Sequence, residues 1–345
     1  MHQPPATARR VTIGDVARHA GVSTTAVSKV LRNAYGTSAH MRSRVHAAVD
    51  ALGYRPSAAA RALRGRTWTV GVMLPDVRNP FFADILDGVT EHLDSTDYQL
   101  FMTSGCDDVA SEARVTEAMI DRSMDGLILI APVSPPRHLE RVAQTVPTVV
   151  IGRHSRSARF DTVNDDDFIG AGLIVAHLAA LGHRRIAHIE HHETDRIRLA
   201  EMPNALRADG YRHAMREHGL GEHIDVASTS YTRAGGQHGA KILLDREDPP
   251  TAIFAGADVV ALGVLDALTE AGLSAPGDIS VAGYDNITLA GIRAVSLTSI
   301  DQGGHRIGTA ATRLLLDRIT DPDRQATQVK LTPTPVVRGT TGPPR

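Results

Sequence analysis

Cysteine, aromatic side chains and long apolar runs are all scarce in this chain. Its 345 residues include one cysteine, Cys106, and aromatics make up 4%. A lone cysteine excludes an intrachain disulfide, and the absence of any CxxC or Cys/His cluster gives no sign of a structural zinc. A buried structural thiol is therefore the expected role of Cys106, rather than a reactive one. With so few rings, Val, Ile, Leu and Ala must fill the cores. No apolar run comes near the roughly eighteen residues that a membrane span needs. The N-terminal MHQPPATARR lacks the apolar stretch of a signal peptide. A soluble, cytoplasmic protein without membrane contact is expected, which disfavours a secreted solute-binding protein. Common enzyme signatures are missing too: no GxGxxG after a strand, no GxxxxGK followed by Ser or Thr, and no GxSxG. No enzyme activity, cofactor or metal is expected.

Charge is present but unevenly spread. Residues 1–66 hold eleven Arg or Lys against two acids, a net of +9. The whole chain is −2, so residues 67–345 carry −11. An isoelectric point near 6.8 thus conceals a basic head on an acidic body. That asymmetry is the footprint of a nucleic-acid module joined to something that is not one.

Within the head, Thr12–Arg32 has the spacing of two short helices around a tight turn. Ile13, Val16, Ala17 and Ala20 form one apolar stripe, and Thr12 with Asp15 resembles a capping box. Gly21 supplies the turn, where a left-handed backbone costs it little. Ser23 can cap the second helix, whose Val27, Val30 and Leu31 face inward. Thr24, Thr25, Ser28, Lys29 and Arg32 face outward, as a major-groove reader requires. A third helix is expected from about Ser38 to Leu52, with Met41, Val45, Ala48, Val49 and Leu52 inward and Gly53 as its stop. The flanking tails, 1–10 and 339–345, read as disordered.

Four segments, T-I-x-D-V-A at Thr12–Ala17, A-G-V-S at Ala20–Ser23, V-S-K-V-L at Val27–Leu31 and L-G-Y-R-P at Leu52–Pro56, carry a specific likeness. The segment 11–56 resembles the helix-turn-helix DNA-binding headpiece of the lactose-repressor (lac/gal) family of bacterial transcription regulators. Lys29 stands where that family usually has a guanine-reading arginine; lysine still donates to guanine, but without the bidentate fork. Thr24 and Thr25 take the specificity positions. The helix start at Ser23, with Ser28, Arg32 and Ser38, suits phosphate positioning, and Tyr54 matches a family position near the phosphate backbone. Residues 57–66 form either a flexible linker or a hinge helix that folds on DNA. The resemblance puts Leu63 where two dimer-related leucines wedge into the minor groove.

From residue 67 onward apolar runs alternate with amphipathic stretches. Thr69–Leu74, Gln99–Thr103, Gly126–Ile130, Thr148–Ile151, Arg185–Ile189, Ala252–Ala255 and Ser280–Ala282 read as buried parallel strands. Phe82–Leu93, Gly170–Leu181, Gly235–Leu244, Val259–Ala271 and Arg306–Ile319 read as helices. This alternation predicts an α/β body with doubly wound parallel sheets. The resemblance implies two such lobes, like periplasmic sugar-binding proteins, joined by three crossings. The first is expected at about 67–164 plus 290–322, and the second at about 165–289 plus 323–342.

Strand ends in such sheets bind ligands. Asn79 can hydrogen-bond a ligand hydroxyl, and one of Phe81 and Phe82 is given to the cleft. Asp165 is either a helix N-cap or a ligand contact. By resemblance, Arg207 in R-A-D-G-Y points into the cleft, Tyr231 packs on a sugar face, and Asp285 in G-Y-D is a ligand carboxylate. Asp258 is a further effector contact, although the family's Asn-Asp is Ala257-Asp258 here. The stretch Glu190–Arg207 is longer than usual. Its His191, His192 and Glu193, with His188, match no standard metal spacing. Arg196 and Arg198 either favour an anionic effector or lie on a solvated loop. The expectation is a dimeric regulator, most plainly a repressor, that binds a palindromic operator under control of a small carbohydrate effector. The alternatives are an architectural DNA binder without effector, or an enzyme acting on a sugar or nucleotide.

Overall fold

The computed structural model describes residues 11–31, 35–54, 65–104, 108–191 and 201–345. Arg32, residues 57–64 with Leu63, Cys106, and residues 192–200 with His192, Glu193, Arg196 and Arg198 lie outside them. The chain divides into two units, Met1–Thr67 and Trp68–Arg345.

The first unit contains α1 (Ile13–Ala20), α2 (Thr24–Leu31) and α3 (Ala39–Leu52). Thr12 and Asp15 close the capping box, with Thr12 N donating to Asp15 Oδ2 at 2.9 Å and Asp15 N to Thr12 Oγ1 at 3.3 Å. Gly21 ends α1 at φ +63°, a backbone that a β-carbon would strain. Ser23 caps α2 through the Ala26 amide at 3.1 Å, and Ser38 caps α3 through the Met41 amide at 3.2 Å. Val16, Ala17, Ala20, Val27, Val30, Val45, Ala48 and Tyr54 make the buried centre. Ile13, Leu31, Met41, Val49 and Leu52, all expected inside, pack around it partly buried.

The second unit is a pair of parallel sheets. The first has strand order β11-β5-β4-β3-β1-β2, built from β1 (Thr69–Leu74), β2 (Gln99–Ser104), β3 (Gly126–Ile130), β4 (Thr148–Ile151), β5 (Asp161–Asp165) and β11 (Gln328–Leu331). The second has order β7-β6-β8-β9, from β6 (Ile186–His191), β7 (Asp225–Thr229), β8 (Ala252–Ala255) and β9 (Ser280–Ala282). A short antiparallel pair, β10 (Ser299–Asp301) with β12 (Thr334–Val336), completes the strands described. Helices α4 (Pro80–Leu93), α5 (Val109–Asp121), α6 (Pro136–Thr145) and α11 (Gly304–Thr320) belong to the first sheet. Helices α7 (Asp167–Ala180), α8 (Pro203–Glu217), α9 (Arg233–Leu244) and α10 (Asp258–Glu270) belong to the second.

Two expected lobe edges move. Residues 323–331 join the first lobe, because β11 pairs with β5. The reason is electrostatic: fully buried Asp161 accepts from Arg318 Nε at 2.7 Å, Arg324 Nη1 at 3.0 Å and the Thr327 amide at 2.6 Å. Residues 290–301 join the second lobe, where Gly283 N donates to Thr298 O and Asp285 N to Ile300 O at 2.9 and 3.0 Å. The three crossings therefore fall at 165–167, 301–304 and 331–334.

Helices α4 and α11 approach through two glycines. A β-carbon on Gly308 would stand 2.0 Å from Ile85 O, and one on Gly88 would stand 2.1 Å from His305 O. His188 in β6 is wholly buried and stacks on Tyr211 and Phe254, with ring centroids 5.1 and 4.6 Å away. Its Nδ1 lies 2.9 Å from Phe254 O, so the ring is spent on packing.

Gly308→Ala should therefore cost the body about 1–3 kcal/mol by overpacking against backbone. Urea unfolding midpoints test this, and an unchanged midpoint would show that the helices part freely. Burial also pushes the His188 pKa down to about 4, against about 6.5 in an unfolded chain. The unfolded chain binds the proton more readily, so this contribution is complete above pH 6.5 and is lost as pH falls toward 4. His188→Phe should flatten the decline in melting temperature between pH 7 and 5. An equal decline in both proteins would assign the acid sensitivity to other groups.

Candidate functional site

In the first unit the outward face of α2 is as the pattern predicts. Ser23, Thr24, Thr25 and Lys29 are exposed and Ser28 is half-buried, while Val27 and Val30 face inward. The hydroxyls of Ser23 and Ser38 are engaged in their own helix caps. Tyr54, expected near the phosphate backbone, is a core side chain at 7% exposure. It belongs to the buried centre formed with Val16, Ala17, Val27 and Val45.

In the second unit the residues at the crossings converge on one buried charge. Arg207 projects from α8, and its Nε donates to Asp167 Oδ1 at 2.7 Å. Its Nη1 donates to Gly256 O at 2.8 Å and stands 3.6 Å from Asp285 Oδ1. The guanidinium carbon stands over Tyr284, 3.8 Å from the ring centroid, a cation–π contact in a desolvated place. Tyr284 Oη donates to Asp165 Oδ2 at 2.6 Å. The second oxygen of Asp167 meets His154 Nε2 at 2.7 Å, and Gln302 Nε2 donates to Asp285 Oδ1 at 2.6 Å.

Burial opposes every charge in this cluster, and the neighbours decide which ones persist. Asp167 is wholly buried, yet Arg207 and His154 hold it below the usual carboxylate range. Arg207 is raised: burial works against it, and Asp167 leads the groups that outweigh burial. Burial lifts Asp165 well above its usual value, helped by the charge on Asp167. Burial lifts Asp285 likewise, against the pull of Arg207. The cluster is a clamped Arg–Asp pair flanked by two carboxyls that resist ionisation.

The backbone there is also unusual. Asp285 sits at φ +119° and Asn286 at +53°, which non-glycine residues rarely accept. The Asn286 amide donates to Ser299 Oγ at 3.0 Å, and Arg338 Nη2 donates to Asn286 Oδ1 at 2.6 Å. Asp258 holds the same loop, accepting from the Ile287 amide at 2.9 Å and Ser299 Oγ at 2.6 Å. Its carboxylate, expected to meet a ligand, is taken up by this staple, and burial raises its pKa to about 7.

Several other expected residues fall elsewhere. Asp165 does not cap a helix; Asp166 does, through the Ile169 amide at 3.2 Å. Asn79 caps α4 by accepting from the Phe81 amide at 3.1 Å. Phe81 is a core residue at 7% exposure, and Phe82 packs partly buried on the same core. The Tyr231 hydroxyl is buried without a hydrogen-bond partner, its ring 5.1 Å from His191. A cavity of about 290 Å³ opens beside Asp285, lined also by Asp84, Asp87, Asn286, Asp301 and Gly303–Arg306. Of the effector residues expected from sequence, Asp285 alone lines it. Among the described residues no group of three His, Cys, Asp or Glu could hold a metal ion.

Sequence reasoning missed Asp167, His154, Tyr284 and Gln302. Asp167 was visible as the last acid of N-D-D-D, and Tyr284 as the neighbour of Asp285. A second junction also escaped it. Arg153, 1% exposed, donates to Pro132 O at 3.1 Å and pairs with Glu201 at 3.3 Å, while the His154 amide donates to Glu201 O at 2.7 Å. This ties the end of β4 in one lobe to the approach to α8 in the other.

Known proteins share both units. Residues 12–57 match the bacterial regulatory proteins of the lacI family, and residues 175–341 match the periplasmic binding protein-like domain. The chain is 35% identical to the ribose operon repressor of Escherichia coli (strain K12) over 332 residues, 95% of this chain and 99% of that protein. Among solved structures, the lac repressor dimer bound to operator and the anti-inducer ONPF aligns with a TM-score of 0.80 at 26% identity, covering 97% of this chain and all of that one. A LacI family regulator from Enterococcus faecium with bound ribose aligns at TM-score 0.70 and 29% identity, covering 80% of this chain and all of that one. With a helix-turn-helix head, a two-lobed periplasmic-binding-protein-like body and near full-length identity to a repressor, the chain belongs to the lacI family of bacterial regulatory proteins, DNA-binding transcriptional regulators that respond to an effector.

Proposed function

We propose that this regulator is a dimeric repressor of a palindromic operator, and that a carbohydrate bound between its lobes sets its DNA affinity. The observation that carries this is the Arg207 cluster. It gathers Asp165 and Asp167 from one crossing, Asp285 from the 283–285 turn, and Gln302 from the next crossing. Polar groups fixed at the joints between two lobes are what a hydroxylated ligand needs if its binding is to alter the lobes. The ribose named in one relative and bound in one neighbour supports a sugar as the effector. Dimerisation is supported by β2, the edge strand of the larger sheet, where Phe101 and Met102 are exposed. A long apolar edge is a ready surface for a second copy. No helix among the described residues is long and apolar enough to cross a membrane. A cytoplasmic site of action and the absence of enzyme activity belong to the same reading.

On the DNA side Lys29, Thr24 and Thr25 read bases, Ser23, Ser28, Arg32 and Ser38 position phosphates, and Leu63 is the minor-groove wedge. Lys29→Ala should weaken binding to the selected operator by about 1–3 kcal/mol while leaving random duplex DNA little affected. Anisotropy titrations on both DNAs decide this, and equal losses would make Lys29 a phosphate contact. Asp285→Asn keeps the side-chain shape and an acceptor for Gln302. It should abolish the release or tightening of operator caused by ligand, with ligand-free operator affinity nearly unchanged, because coupling is reciprocal and vanishes with ligand binding. A wild-type ligand response in this variant would place the effector elsewhere. If no sugar altered operator affinity in the native protein, an architectural role would replace regulation.

A further inference from the structure

We propose that the effector is an uncharged polyhydroxylated molecule, and that the cleft rejects phosphorylated and carboxylated forms of the same sugar. This rests on the carbohydrate reading above and narrows it. Deep recognition of an anion needs a buried cation free to meet it, and the centre of the described cleft does not offer one. Arg207 is the basic side chain at its centre, and Asp167 already neutralises it at 2.7 Å. Asp285 stands 3.6 Å away. Even with Asp285 and Asp165 protonated, the Arg207–Asp167 pair has no net charge to spare. His154 is turned to the other oxygen of Asp167.

The adjoining cavity is more strongly biased. Asp84, Asp87, Asp285 and Asp301 line it, against His305 and Arg306. His305 is drawn to Glu91 at 2.6 Å, which leaves the exposed Arg306 as one cation against four acids. The start of α11 at Gly304 brings a partial positive charge, but Asp301 meets it by accepting from the Gly303 amide at 2.7 Å. Burial, then the nearby charges of Asp87 and Asp301, raise the pKa of Asp84, as expected where acids crowd. A phosphate bearing about −1.5 to −2 charges would enter against that field. Outside the described residues, Arg196 and Arg198 are balanced by Glu193 and Asp195 within 192–200. Selection here works by repelling the wrong ligand as much as by binding the right one.

Titration calorimetry on the full chain, with D-ribose against D-ribose 5-phosphate and D-glucose against D-glucose 6-phosphate, tests this. At low salt the neutral member of whichever pair binds should bind at least about 100-fold more tightly than its phosphate. The ratio should shrink as NaCl is added, because salt screens the repulsion. It should also shrink several-fold in the Asp84→Asn, Asp87→Asn double variant. A phosphate ester that binds as tightly as its parent sugar, or more tightly, would overturn the inference and leave the carbohydrate reading standing. Binding by none of the four would overturn both.

Discussion

A guanidinium buried in the second lobe, where the first crossing enters it, constrains the ligand-facing side of the body. Removing Arg207 from water would cost several kcal/mol unless its charge were matched and its donors filled. The match comes from Asp167 on a neighbouring helix, with a carbonyl at Gly256 and the face of Tyr284 completing the shell. These partners all belong to the second lobe, and the first lobe reaches the ion pair through them: His154 meets Asp167, and Asp165 at the end of β5 accepts from Tyr284. The Arg153–Glu201 pair and the His154 amide add a second tie across the same gap. A ligand that favours one lobe arrangement must therefore act on these contacts. Its leverage is limited to its differential affinity for the two arrangements.

The same logic explains why Asp258 serves the site without touching it. Asp285 is held in a backbone conformation that costs free energy, and the loop that carries it is pinned from three sides. Asp258 binds the Ile287 amide, Ser299 binds the Asn286 amide, and Arg338 binds the Asn286 side chain. Arg338 lies beyond β12, so the segment after the last crossing helps to aim a residue of the 283–285 turn. The geometry of the Asp285 carboxylate is thus set by the C-terminal segment, some fifty residues away in sequence.

Much of this was legible in the sequence, for identifiable reasons. The head was clear because its signals are local: a capping box at Thr12 and Asp15, a glycine at 21, and apolar spacing on three short helices. Central strands such as Gly126–Ile130 and Ala252–Ala255 were clear because both faces are buried, which writes an unbroken apolar run. Strand β5 was not, since D-T-V-N-D carries four polar side chains among its five residues. Its Asp161 is tolerable only because Arg318 and Arg324 arrive from more than 150 residues away. Edge strands β7 and β11 mix polar with apolar residues and give equally weak signals. The misplaced edge at 323–331 follows directly, because β11 could not be assigned to a sheet whose neighbouring strand was itself unseen.

The site was half legible for a related reason. Resemblance to the family singled out Arg207 and Asp285, and both are in the cluster; residue type and strand-end position added Asp165. Within N-D-D-D they could not tell three acids apart, because that depends on where the strand stops and the helix begins. The structure gives each acid a separate task. Asp165 ends the strand and accepts from Tyr284, Asp166 caps the helix, and Asp167 turns inward to the guanidinium. A one-residue shift in that junction would exchange a solvated cap for a buried counter-ion. The location of the crossing, more than the composition of the motif, therefore decides which carboxylate neutralises Arg207.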